Sequence, residues 1–174
     1  MNMNRTAVMI CTLFALLVCR EGICNEVKID DGKMHLNGIV KKLQANKVKR
    51  VEILWRDPSA ESRSTITPDI LEKLYFRKLV IRDLQKYPNT KNLIKAVQAT
   101  SLSKMDPEAE GDVRWAIKFY EDHQKNPASA IYLDGSGETG RVAGASYSFN
   151  RPLFDWLNKN FFAMSVPRRL KPVK

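Results

Sequence analysis

The chain has 174 residues, 44% of them apolar and 28% charged. That suffices for one globular domain and a short appendage, and it is too little for a kinase, a TIM barrel or a two-domain dehydrogenase. Gly and Pro at 8 each exclude collagen-like and disordered classes, and Lys+Arg 29 against Asp+Glu 19, net +10, favours anionic partners.

Residues 1–24 read as a secretory signal peptide. Arg5 gives the positive start, and Thr6 to Val18 is an apolar run too short to span a bilayer comfortably. Gly22 and Cys24 are small residues three and one positions before a cut ahead of Asn25. An uncleaved N-terminal anchor is the rival reading. Lipidation at Cys19 is disfavoured by Val18 just before it. All three cysteines, Cys11, Cys19 and Cys24, lie in this segment. Cleavage also removes Arg5, Arg20 and Glu21, leaving 27 basic and 18 acidic residues, net +9, with no thiol. An exported, thiol-free domain is expected to be periplasmic or secreted, the periplasm being favoured.

In the mature chain, Asp31-Gly32 is a turn signal, suggesting a loop or small hairpin over 25–35. Leu36, Ile39, Val40 and Leu43 recur at the spacing of a short amphipathic helix ending near Asn46. Val48 to Trp55 predicts a strand, with Lys49, Val51, Ile53 and Trp55 on one face. Residues 56–66 are a polar, Ser-rich loop. Thr67-Pro68-Asp69 is a helix start. A helix over 68–74 followed by a strand near 75–83 is expected, with one continuous helix as the alternative. Thr90 caps a helix to about Thr100, and a polar loop occupies 101–112. Val113 to Tyr120 alternates as a strand does, and strands at 130–134 and 142–149 follow at hairpin distances. Asn150 caps a last helix carrying Leu153, Phe154, Leu157 and Phe161, with Trp156 off that stripe.

This order predicts an α+β fold: an antiparallel sheet of about five strands with helices packed on one face, and a C-terminal three-stranded meander followed by a helix. The expected division is signal peptide 1–24, a single domain 25–164, and a basic flexible tail 165–174. The element order resembles profilin-type and related helix-on-sheet folds, which implies no function.

Chemistry-bearing motifs are sparse. Gly135-Ser136-Gly137-Glu138-Thr139-Gly140 matches G-x-G-x-x-G, but a strand pattern follows where a nucleotide site needs a helix, so a hairpin is expected. His35 and His123 are far apart and have no metal-ligand spacing. Ser101-Leu102-Ser103-Lys104 lacks the accompanying motifs of a β-lactamase. Asp134 and Glu138 are the one candidate catalytic pair, alternatively solvated turn carboxylates. No cofactor is expected. Charge is more informative. Lys41, Lys42, Lys47, Lys49 and Arg50 fall within ten residues with no acid between, and Arg168, Arg169, Lys171 and Lys174 mark the tail. The expected function is a small exported, non-enzymatic binding protein, inhibitor- or immunity-type. It would dock an acidic protein or anionic envelope polymer through Lys41, Lys42, Lys47, Lys49, Arg50, Arg168, Arg169 and Lys171. Alternatives are a hydrolase using carboxylate or Ser groups of the 134–140 hairpin, and a polyanion or membrane-surface binder using the tail. Nucleic acid is not expected, since no recognition motif accompanies the charge.

Overall fold

The computed structural model describes residues 31–60, 64–105 and 111–167. Residues 1–24, expected to be a signal peptide, with their cysteines, and the tail cations Arg168, Arg169 and Lys171 lie outside the described residues.

Four helices and one eight-stranded antiparallel sheet make up the described chain. Helix α1 runs Asp31–Gln44 and buries Leu36, Ile39, Val40 and Leu43, the expected stripe. It starts earlier than expected, because Asp31-Gly32 forms its first turn rather than a loop. Asp31 there meets the positive end of the helix dipole. Gly32 is needed for close approach: a Cβ on it would run into the ring of Tyr147, which is itself buried. Strand β1 is Val48–Trp55. Helix α2, Pro68–Leu74, starts where Thr67 Oγ1 accepts from the Ile70 amide at 3.4 Å, and strand β2, Arg77–Arg82, follows. The helix-then-strand reading holds there.

Helix α3, Thr90–Ala99, leads into β3, Leu102–Lys104. Then come β4, Trp115–Glu121, β5, Ser129–Leu133, β6, Thr139–Val142, and β7, Ala145–Phe149. Helix α4, Pro152–Met164, ends in β8, Val166–Pro167. Asn150 does not cap α4. Its side chain instead donates to the Ala99 carbonyl at 3.0 Å and accepts from the Ser101 amide at 2.8 Å, tying the α3–β3 link to the end of β7.

The sheet order is β3-β7-β6-β5-β4-β1-β2-β8. About five strands were expected and eight are present. The run 142–149 is split by a two-residue turn in which Ala143 and Gly144 both have positive φ, 51° and 83°. Strands β3 and β8 are short segments that pair with distant partners, β7 and β2. The expected loose tail is tied down through Pro167. Ser165 is buried, and Arg77 Nε donates to its Oγ at 2.8 Å.

Alternation along the strands builds two apolar clusters. Val51, Ile53, Leu79, Trp115, Ile117, Phe119, Ile131 and Leu133 share the larger one with residues of α1, α3 and α4. Leu54 and Ala116, one residue out of phase, join Leu71 of α2, Ile66 and Val113 in the smaller one. The expectation that helices cover a single face therefore fails for α2, which belongs with the opposite face. This also explains why β4 is buried at every residue but its last. On the α2 face its polar residues need partners, and Lys118, 6% exposed, pairs with Glu72 of α2. Tyr132 donates to the same carboxylate at 3.5 Å, and burial followed by the Glu72 charge pushes its pKa up to about 12.

Candidate functional site

The basic segment at Lys41–Arg50 crosses from the end of α1 into β1, and the fold divides it. Lys47 donates its amide to the Lys42 carbonyl at 2.9 Å, and Asn46 turns the chain with φ 55°. The β1–β4 register then shifts between Val48 and Arg50: Val48 faces Glu121 and Arg50 faces Tyr120, so Lys49 is an extra residue in β1. A bulge of this kind re-aims side chains that strict alternation would send to opposite faces. It lets the sequential Lys49 and Arg50 line the same hollow.

That hollow is open, with a volume of about 620 Å³, and its walls include Lys49, Arg50, Arg82, Tyr120, His123 and Lys125. The antiparallel register makes Arg50 and Arg82 direct cross-strand partners. Like charges so placed repel, at a cost of roughly 0.2–1 kcal/mol. Arg50 is held in position from below. Its Cζ lies 3.9 Å from the centre of the Tyr120 ring, and its Nε is 3.4 Å from Glu52 Oε1. Tyr120 donates to Glu52 Oε2 at 3.3 Å, and Lys78 pairs with that oxygen at 3.0 Å. Burial first, then the Glu52 charge, raises the Tyr120 pKa, so its hydroxyl stays a donor. The one acid in the wall, Glu121, is engaged by Lys42 Nζ at 2.8 Å. His123 is exposed, with Nε2 3.3 Å from Asp122.

A smaller hollow of about 110 Å³ adjoins, sharing Lys49 and including Asn46 and Asp83. Among the described residues four non-glycines adopt positive φ, and three of them, Asn46, Asp83 and His123, border these two hollows. Asn46 is the left-handed residue that closes the C-terminus of α1, and Asn, Asp and His are the non-glycine residues that adopt this conformation most readily.

Of the sequence-derived candidates, Lys49 and Arg50 therefore come together and Lys42 reaches the rim through Glu121. Lys41 and Lys47 are exposed and are not among the lining residues. Pro167, the last described residue before the tail cations, pairs with Arg77. Arg82 ends the other side of β2, about 17 Å away at strand rise. The two basic segments thus do not merge where the chain is described. Sequence reasoning missed Arg82, His123 and Lys125. Their signal is the strand register, which a linear charge count does not contain.

The other candidates resolve into structure. Gly135–Gly140 spans the β5–β6 turn and the first two residues of β6, the turn being closed by the Asp134 amide donating to the Thr139 carbonyl at 2.9 Å. The Asp134 carboxylate accepts from Thr139 Oγ1 at 2.7 Å, Ser136 Oγ at 3.0 Å and the Glu138 amide at 3.1 Å, so it holds the loop. Glu138 is exposed. Among the described residues no three His, Cys, Asp or Glu are grouped to hold a metal ion. No described helix is long and apolar enough to cross a membrane.

Comparison with protein-family models, with curated proteins and with solved structures finds no match.

Proposed function

We propose that the protein is a small exported, non-enzymatic binding protein that docks an acidic segment of a partner protein into the hollow of β1, β2 and β4. The observation that carries this reading is the Arg50–Arg82 rung, two arginines at directly opposite register positions that line one hollow together with Lys49 and Lys125. Such opposition is unfavourable in the free protein and is relieved by carboxylates between the cations. Arg50 supplies a preset fork, stacked on Tyr120 and steadied by Glu52. The mobile-headed Lys49 and Lys125 would widen the charge field and speed encounter. The size and the expected signal segment suit an inhibitor- or immunity-type role.

The test uses polyglutamate as probe, bound to the full chain at low and high salt. Arg82→Glu and Lys49→Glu are the variants of choice, since both side chains are exposed and neither supports the core. Binding is expected to weaken steeply with salt, and the double reversal to lower affinity roughly tenfold or more. Binding that ignores salt, or survives the reversals, removes the hollow as the docking site.

A further inference from the structure

The acids that border the hollow are already engaged, and by cations that do not line it. Glu121 is held by Lys42 Nζ at 2.8 Å, Glu52 by Lys78 Nζ at 3.0 Å, and Asp83, in the adjoining hollow, by Lys86 Nζ at 2.8 Å. Lys42, Lys78 and Lys86 are not among the lining residues. Asp122 is engaged within its own turn, 3.3 Å from His123 Nε2. The lining cations are left over. Among the described residues Lys49, Arg82 and Lys125 form no salt bridge, and Lys49 acts on Asp83 only beyond that distance. Arg50 meets Glu52 through Nε at 3.4 Å, and its side chain stays 35% exposed.

The phase of the ladder brings the two arginines near one another. The Asp83 amide donates to the Lys49 carbonyl at 3.3 Å, so these two share a ladder bond of β1–β2. The next pair, Arg50 and Arg82, is then of the non-hydrogen-bonded kind, with Cα atoms about 4.5 Å apart and side chains at their closest.

Four cations in one hollow of about 620 Å³ call for dense negative charge. An extended carboxylate-bearing segment shows alternate side chains to one face, about 6.5 Å apart and with one charge each. It would set about one or two carboxylates against Lys49, Arg50, Arg82 and Lys125. A phosphate monoester gathers about −1.5 to −2 charges and three acceptor oxygens at one centre. It can take a fork from one arginine and bonds from cations approaching along other directions. We infer that the segment docked in the hollow carries a phosphate monoester, seated between Arg50 and Arg82, with Lys49 and Lys125 completing its shell. This rests on the reading of the hollow as a docking site for an acidic segment, and names the group selected there.

The full chain is titrated at fixed salt with peptides of one Gly-Ser sequence that differ only at the centre. The centre is phosphoserine, serine, or a pair of glutamates matching the phosphate charge. The phosphoserine peptide is expected to bind about tenfold tighter than the glutamate-pair peptide. Arg82→Glu/Lys49→Glu should bring it down to the level of the serine peptide. Inorganic phosphate should displace it only at concentrations far above the peptide's own Kd. Equal binding of the phosphoserine and glutamate-pair peptides, with polyglutamate still bound, overturns the inference and leaves the docking site standing. Failure of polyglutamate and the phosphopeptide alike overturns both. A phosphoserine advantage that survives the double reversal puts the phosphate elsewhere, and displacement by inorganic phosphate at the peptide's own Kd assigns the hollow to the free ion. Either result rejects a phosphorylated segment as its occupant.

Discussion

His35 lies on α1 one residue before the buried Leu36, with its Nε2 buried and without a hydrogen-bond partner. Burial of the ring, and then the Lys42 charge, hold its pKa below the ordinary 6.5. The unfolded chain therefore takes up a proton at higher pH than the folded one. The neutral ring's contribution to stability is present above about pH 6.5 and is lost as pH falls through and below that value. Urea midpoints measured from neutral to mildly acidic pH should decline in the parent and decline less in His35→Gln. Equal slopes in the two chains would mean that His35 is not the group that titrates. At the same scale, Lys42 couples this helix to the hollow by its pairing with Glu121, which keeps that carboxylate occupied by a cation. None of this is written in the local sequence, where His35 reads as a loop residue.

Helix α2 shows what a single element needs in order to sit on a sheet face. It offers one fully buried residue, Leu71, and one carboxylate, Glu72, that meets buried Lys118. The two partners are not equivalent, since the Glu72 side chain is 40% exposed and that of Lys118 is 7% exposed. Removing the exposed partner strands a buried cation, whereas removing the buried one leaves a carboxylate that water can solvate. Glu72→Ala is therefore expected to lower the thermal midpoint more than Lys118→Met, and the reverse order would refute a supporting role for the pair. Elements with their own periodicity, such as β1, β2 and β4, and the stripe of α1, were legible from sequence. Strands β3 and β8 were not, because three- and two-residue segments exist only through partners more than forty residues away. The β6–β7 turn was hidden because Ala143-Gly144 carries none of the Asn-Gly or Asp-Gly chemistry that usually marks it. The hollow was half legible for a related reason. Lys49 and Arg50 stand in a charge run, but Arg82 and Lys125 join them only through register and the bulge.

At the scale of the whole molecule, net +10 is a standing cost as well as a means of attraction. Part of it is concentrated where Arg50 faces Arg82, an arrangement that stability alone would not favour. The docking proposed for the hollow carries a definite consequence: a substitution that removes the Arg50–Arg82 rung should stabilise the free protein. Arg82→Glu takes the net charge from +10 to +8 and sets a carboxylate opposite Arg50. Removing one like-charge rung and adding an opposite-charge one is worth about 0.5–1 kcal/mol. In a chain of this size that corresponds to a rise of roughly 1–4 °C in thermal midpoint. The rise should be largest at low salt and shrink at high salt, because exposed charges are screened over about 8–10 Å under ordinary conditions. The same variant should lose polyglutamate binding. Melts of parent and variant at two ionic strengths, set beside the binding data, test both halves together. A variant that binds less and is also less stable at low salt would show that Arg82 is held in place by the fold for structural reasons, and the hollow would then lose its claim to be a site for acidic groups.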